Sequence, residues 1–157
     1  MKPKVYLETS VVSYLTARPS RDLVVAAHQQ VALEWWEECR ENFALYACQL
    51  VIQEAGAGDP AAARRRLGQL AGIPLLEVTD EAEALARDLI ENGPLAAQAV
   101  GDALHIAVAT VHGVDYLLTW NCRHIANAQM REAVASVCTK RGYEPPVICT
   151  PEELMGG

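Results

Sequence analysis

The chain has 157 residues, 51% of them hydrophobic but only 6% aromatic, so a single domain over residues 1–157 is expected, with a core of Leu, Val, Ile and Ala. No apolar run approaches the ~18 residues of a membrane span, and Met1–Lys4 leads directly into a strand pattern, so neither a span nor a secretory signal is expected. The formal charge of −7, from 13 Lys+Arg against 20 Asp+Glu, counts against nonspecific duplex binding but leaves a metal-loaded nuclease open, because bound cations offset acidic ligands.

In chain order, Pro3 to Leu7 reads as a first strand, buried on both faces because its apolar residues run together. Thr9 or Ser10 is placed to cap a short helix through about Leu15, and Arg18 to Asp22 reads as a turn. Val24, Ala27, Val31, Trp35 and Cys39 recur at helical spacing, which predicts a long amphipathic helix from about Asp22 to Glu41. Ala44 to Tyr46 is a brief second strand, followed by a helix carrying Glu54 and ended by Gly56-Ala57-Gly58. Pro60 suits the first turn of a helix to about Leu70. Pro74 to Val78 is a third strand, and Thr79 opens a capped helix ending near Gly93-Pro94. Val100 to His112 is apolar nearly all round and reads as a central buried helix. Asp115 to Thr119 is a fourth strand, a helix spans about Arg123 to Arg141, and Pro146 to Cys149 closes the pattern. Alternating strands and helices imply βαβ crossovers and a mostly parallel sheet with helices on both faces. The five cysteines form no CxxC pair, so reduced, packed thiols and a cytoplasmic setting are expected.

Four oxygen-bearing side chains stand beside these apolar runs: Glu8, Glu54, Asp102 and Asn121. Each has an ordinary reading on its own. Glu8 suits the positive end of the next helix, Glu54 an exposed helical face, and Asn121 a helix cap. Asp102 is harder to explain that way, since it opens the most apolar helix of the chain. His105 lies one turn further on the same face, where a packed, hydrogen-bonded histidine is the simpler reading. Strand exits and first helical turns of a parallel α/β chain converge on one sheet edge. Three carboxylates gathered there repel one another unless a hard divalent cation lies between them, which points to Mg²⁺ or Mn²⁺ and to metal-assisted hydrolysis of a phosphodiester. No glycine-rich phosphate loop and no GxSxG elbow is present.

Val5-Tyr6-Leu7-Glu8-Thr9-Ser10-Val11-Val12, Val51-Ile52-Gln53-Glu54, Gly101-Asp102-Ala103-Leu104-His105-Ile106-Ala107 and Leu117-Leu118-Thr119-Trp120-Asn121 together resemble the four ordered motifs of PIN-domain nucleases, most closely those of VapC-type toxins. The resemblance extends to about Cys149. It implies a three-layer PIN-like α/β domain, with a mostly parallel central sheet of about five strands flanked by helices. It also implies a Mg²⁺- or Mn²⁺-dependent endoribonuclease held inactive by a partner antitoxin. Glu8, Glu54 and Asp102 would be the acidic ligands, Asn121 the fourth polar catalytic position, and Thr9 or Ser10 would support the first motif. The first motif normally carries Asp, so Glu8 adds a methylene; the fourth is often Asp, so Asn121 removes a charge and lowers the expected metal affinity. A non-catalytic PIN module binding RNA or protein, and a phosphohydrolase acting on a small substrate, are the competing readings. Arg18, Arg21, Arg123 and His124 lie in turns near the first and fourth motifs and are the expected phosphate contacts, ahead of Arg64, Arg65 and Arg66. The Trp35-Trp36 pair raises a homodimer as well as packing inside the monomer.

Overall fold

In a computed structural model, which describes residues 1–156, five strands form one parallel sheet: β1 (Lys4–Leu7), β2 (Ala44–Cys48), β3 (Leu75–Leu76), β4 (Tyr116–Leu118) and β5 (Val147–Cys149), in spatial order β3-β2-β1-β4-β5. Seven helices flank it: α1 (Thr9–Thr16), α2 (Leu23–Glu34), α3 (Gln49–Ala55), α4 (Pro60–Leu70), α5 (Asp80–Glu91), α6 (Val100–Val111) and α7 (Ala128–Lys140). The central strands β1 and β4 are largely buried on both faces, whereas the edge strand β3 leaves Leu75 exposed, and the two-residue period of a strand sends alternate side chains to different cores. Tyr6, Leu117 and Ile148 join α3, α5, α6 and α7 in the larger core, whereas Val5, Leu7, Leu118 and Cys149 pack with α1 and α2 in the smaller.

Strand order decides where chemistry can occur. From β1 the chain builds outward through β2 and β3, then returns to the other side of β1 for β4 and β5. The reversal lies between β1 and β4, and the crevice beyond the carboxyl ends of those two strands is where open α/β sheets bind ligands.

Local signals explain most element boundaries. Asp59 caps α4 through Ala62 N–H with Pro60 following it, and Thr79 caps α5 through Ala82 N–H. Several expectations change. The helix begun at Leu23 is not regular to Glu41: Trp35–Cys39 widens into a π turn, in which Arg40 N–H bonds Trp35 C=O, and a 3₁₀ turn follows. Adjacent α-helical positions point about 100° apart, and the wider turn lets both Trp35 and Trp36 be buried. Trp35 stacks near Phe43, and the Arg40 guanidinium covers Trp36 at 4.6 Å. Both indoles are therefore packed within the chain, although the buried Trp35 Nε1–H finds no hydrogen-bond partner among the described residues. In the first half of α2, Val24 is 64% exposed and Ala27 is exposed too, because the apolar stripe meets the core only from Val31 onward. Finally, α7 starts at Ala128, capped by Asn127, so Arg123 and His124 lie in a preceding turn rather than in the helix. Four cysteines are buried free thiols, with Cys149 pushed up to about 12 by burial, and Cys122 is exposed. Among the described residues no helix is long and apolar enough to cross a membrane.

Candidate metal centre

Glu8 leaves β1 directly, at the N-cap position of α1, and its backbone N–H continues the ladder to Leu118 C=O at 3.0 Å. Its side chain does not cap the helix, and neither Thr9 nor Ser10 is the cap residue expected from sequence. Both hydroxyls instead serve carboxylates. Ser10 Oγ donates a very short hydrogen bond to Glu8 Oε1, and Thr9 Oγ1 donates to Glu54 Oε1 at 2.5 Å. Glu8 is 6% exposed, a burial that a carboxylate tolerates only with such donors.

Glu54 stands on the last turn of α3, not at a strand exit, and reaches the site from the far end of that helix. Its Oε1 also receives His105 Nε2 at 2.7 Å. Burial alone would raise its pKa, but the hydrogen bonds from His105 and Thr9 together hold it below the ordinary carboxylate value. The other oxygen, Oε2, lies 3.4 Å from where a Cβ on Gly101 would sit, so the start of α6 packs directly on this carboxylate.

Asp102 sits in the first turn of α6, and its Oδ1 accepts the Asn121 amide at 3.1 Å. Burial is the main cause of its raised pKa; Glu8 and Glu54 push the same way, and His124 and His105 oppose them. Repulsion from both glutamates places Asp102 in the same electrostatic site. It is not in the tightest cluster, however: Glu8, Glu54 and His105 are the three whose ligand atoms lie within 4.8 Å of one another. Asn121 opens the turn after β4, where its Oδ1 accepts His124 N–H at 3.0 Å, so one amide both shapes the turn and touches Asp102.

Sequence reasoning passed over Thr119. It is fully buried, donates to Glu8 Oε1 at 2.6 Å, and accepts Asn121 N–H at 2.9 Å. The visible signal was a hydroxyl closing an apolar strand one residue before an indole. Trp120 N–H in turn donates to Ser10 Oγ at 2.8 Å, and its ring stacks on His28 at 4.3 Å, which ties the loop after β4 to α1 and α2.

The basic residues separate into groups. Arg18 and Arg21 are exposed in the segment that follows the C-terminal end of α1. Arg123 and His124 are exposed in the turn after Asn121, and His124 is near enough to lower the Asp102 pKa. On α4, Arg66 caps the end of α3 by donating to Ala55 and Ala57 C=O at 2.8 and 2.6 Å, while Arg65 donates to Thr16 C=O at 3.3 Å. Arg123→Ala is accordingly expected to weaken single-stranded RNA binding roughly threefold to tenfold, and Arg65→Ala to leave it nearly unchanged. Fluorescence anisotropy would show equal affinities for the two variants if that ranking is wrong.

One pattern unites the three carboxylates. Each has one oxygen engaged, Glu8 and Glu54 by two donors and Asp102 by one, and among the described residues no hydrogen bond reaches the other oxygen. Hard oxygens presented one per carboxylate, without a thiolate, suit a hard divalent cation that keeps several waters.

A family model described as the PIN domain matches residues 5–127, from β1 to the cap of α7. The chain belongs to the PIN domain family. PIN domains are generally metal-dependent nucleases that bind RNA, and all four acidic or amide positions above fall inside the matched span. No curated protein and no solved structure matches the chain significantly.

Proposed function

We propose that this PIN domain is a Mg²⁺- or Mn²⁺-dependent endoribonuclease that hydrolyses RNA phosphodiester bonds. The observation that carries the reading is the convergence of Glu8, Glu54 and Asp102, from β1, α3 and α6, beyond the sheet's reversal point, each with an oxygen to spare. Glu8, Glu54 and Asp102 would hold the ion, with Asn121 as the fourth polar group. When bound, such an ion polarises a phosphoryl oxygen and lowers the pKa of attached water. The protein's own part is orientation. Ser10 and Thr119 fix Glu8, Thr9 and His105 fix Glu54, and Asn121 fixes Asp102. Arg123 and His124 stand at the rim, where a phosphate chain would pass.

The likeness of the four motifs to VapC-type toxins supports a narrower reading, a toxin restrained by a cognate antitoxin in the cytoplasm. A small antitoxin-like protein encoded just upstream, which co-purifies with the chain and stops cleavage, would support it. The competing reading, a module that binds RNA without cutting, draws on Glu8 standing where the family normally has Asp.

Incubation of the purified protein with single-stranded RNA separates these readings. Cleavage that requires Mn²⁺ or Mg²⁺ and stops with EDTA is the expected result. RNA binding without metal-dependent cleavage would favour the binding module.

A further inference from the structure

Behind Glu54 runs a buried polar chain that metal binding alone does not require. Cys48 Sγ lies 3.0 Å from Tyr6 Oη, Tyr6 Oη lies 2.7 Å from His105 Nδ1, and His105 Nε2 lies 2.7 Å from Glu54 Oε1. His105 is 1% exposed and sits in the most apolar helix, so its two ring nitrogens have no water to turn to. A carboxylate only accepts, so Nε2–H donates to Glu54 Oε1, and Nδ1 is paired with the Tyr6 hydroxyl. Both nitrogens are occupied, so His105 is not free to be a ligand itself, although it lies within the 4.8 Å cluster.

The direction of these bonds matters. Thr9 and His105 both engage Oε1 of Glu54, and Oε2 is left beside Gly101. Glutamate has three rotatable side-chain bonds, and a carboxylate on the last turn of a helix would otherwise sample many orientations. Two donors on one oxygen, one carried by a buried ring that is itself held by a buried phenol, remove that freedom before any ion arrives.

We propose that His105, braced by Tyr6, is the positioning residue that presents Glu54 to the metal through a single oxygen, Oε2. This rests on the reading of Glu54 as a ligand, and it names which group enforces the geometry. A histidine that only filled the core would set the melting temperature and leave metal affinity alone.

Mn²⁺ titration calorimetry tests this on the full chain, with wild type, His105→Leu, His105→Gln and Tyr6→Phe, alongside their melting temperatures. His105→Leu is expected to weaken Mn²⁺ binding roughly tenfold or more, as loss of a group orienting a metal ligand usually does. Gln keeps an N–H near the position of Nε2, so His105→Gln should stay within roughly threefold of wild type, with Tyr6→Phe falling between the two. Equal affinity in wild type and His105→Leu overturns the inference and leaves the metal site standing. His105→Gln as weak as His105→Leu overturns it in favour of His105 as a direct ligand. Absence of Mn²⁺ binding in wild type removes the metal reading and this inference with it. Should His105→Leu fail to fold, Tyr6→Phe decides alone: affinity equal to wild type overturns the proposal.

Discussion

Asp102→Asn is expected to lower metal-dependent RNA cleavage at least ~100-fold while raising the melting temperature of the metal-free protein. Asn keeps the Oδ1 that accepts the Asn121 amide, and removes the charge that burial and the two glutamates disfavour. A carboxyl whose folded pKa lies above its unfolded value binds its proton better when folded. Its contribution to stability is therefore complete below the unfolded value and is lost as pH rises through the folded one. At neutral pH the metal-free wild type carries the whole of that penalty, so the gap between wild type and Asp102→Asn should be widest there. It should close as pH falls towards the ordinary carboxyl value of 3.8. Each kcal/mol is worth about 2–4 °C in a domain of this size, so a rise of about 1–3 °C is the expected scale. Saturating Mn²⁺ should reverse the order, because only wild type gains binding energy. Melting scans across pH would reveal a clear loss of stability in metal-free Asp102→Asn if the side chain were mainly structural.

Glu8 carries the second large effect. Its Oε1 is held by Ser10 and Thr119 while its Oε2 has no partner, so the added methylene is absorbed by a fixed, inward-turned side chain. Glu8→Gln can keep both hydroxyl bonds and the packing, yet it replaces an anionic oxygen with an amide that cannot ligate. Cleavage should fall roughly 100-fold with little change in fold stability. Glu8→Asp keeps the charge but withdraws from both donors, and roughly tenfold loss with measurable residual activity is expected. If both variants cleaved RNA as wild type does, Glu8 would not be part of the centre.

Elements defined by short-range patterns were legible in the sequence. The apolar run before Glu8 is β1, the nearly all-apolar stretch from Val100 is α6, and Asp59-Pro60 and Thr79 cap helices where their chemistry places them. Strand order was not legible, because it depends on contacts between segments far apart in the chain: Val5 pairs with Tyr116 across more than a hundred residues. The reversal point that makes Glu8 and Asn121 neighbours emerges only from that order. Hydrogen-bond partners were hidden for a related reason. Tyr6 reads as a core residue of β1, and periodicity reports which face it occupies but not that its hydroxyl ends on His105. The apolar stripe of α2 misled in its first half because helical spacing shows which residues share a face, not how far that face follows the core. Glu54 reads correctly as an acid near the end of the helix after β2, but helical spacing does not say that this end of α3 meets β1 and α6.

The ion's position tests the account most directly. Crystals soaked in Mn²⁺ should show one anomalous peak bounded by Glu8 Oε2, Glu54 Oε2 and the Asp102 carboxylate, with water completing the shell and His105 still bonded to Glu54 Oε1. A peak coordinated by His105 Nε2, or one that excludes Asp102, would contradict it.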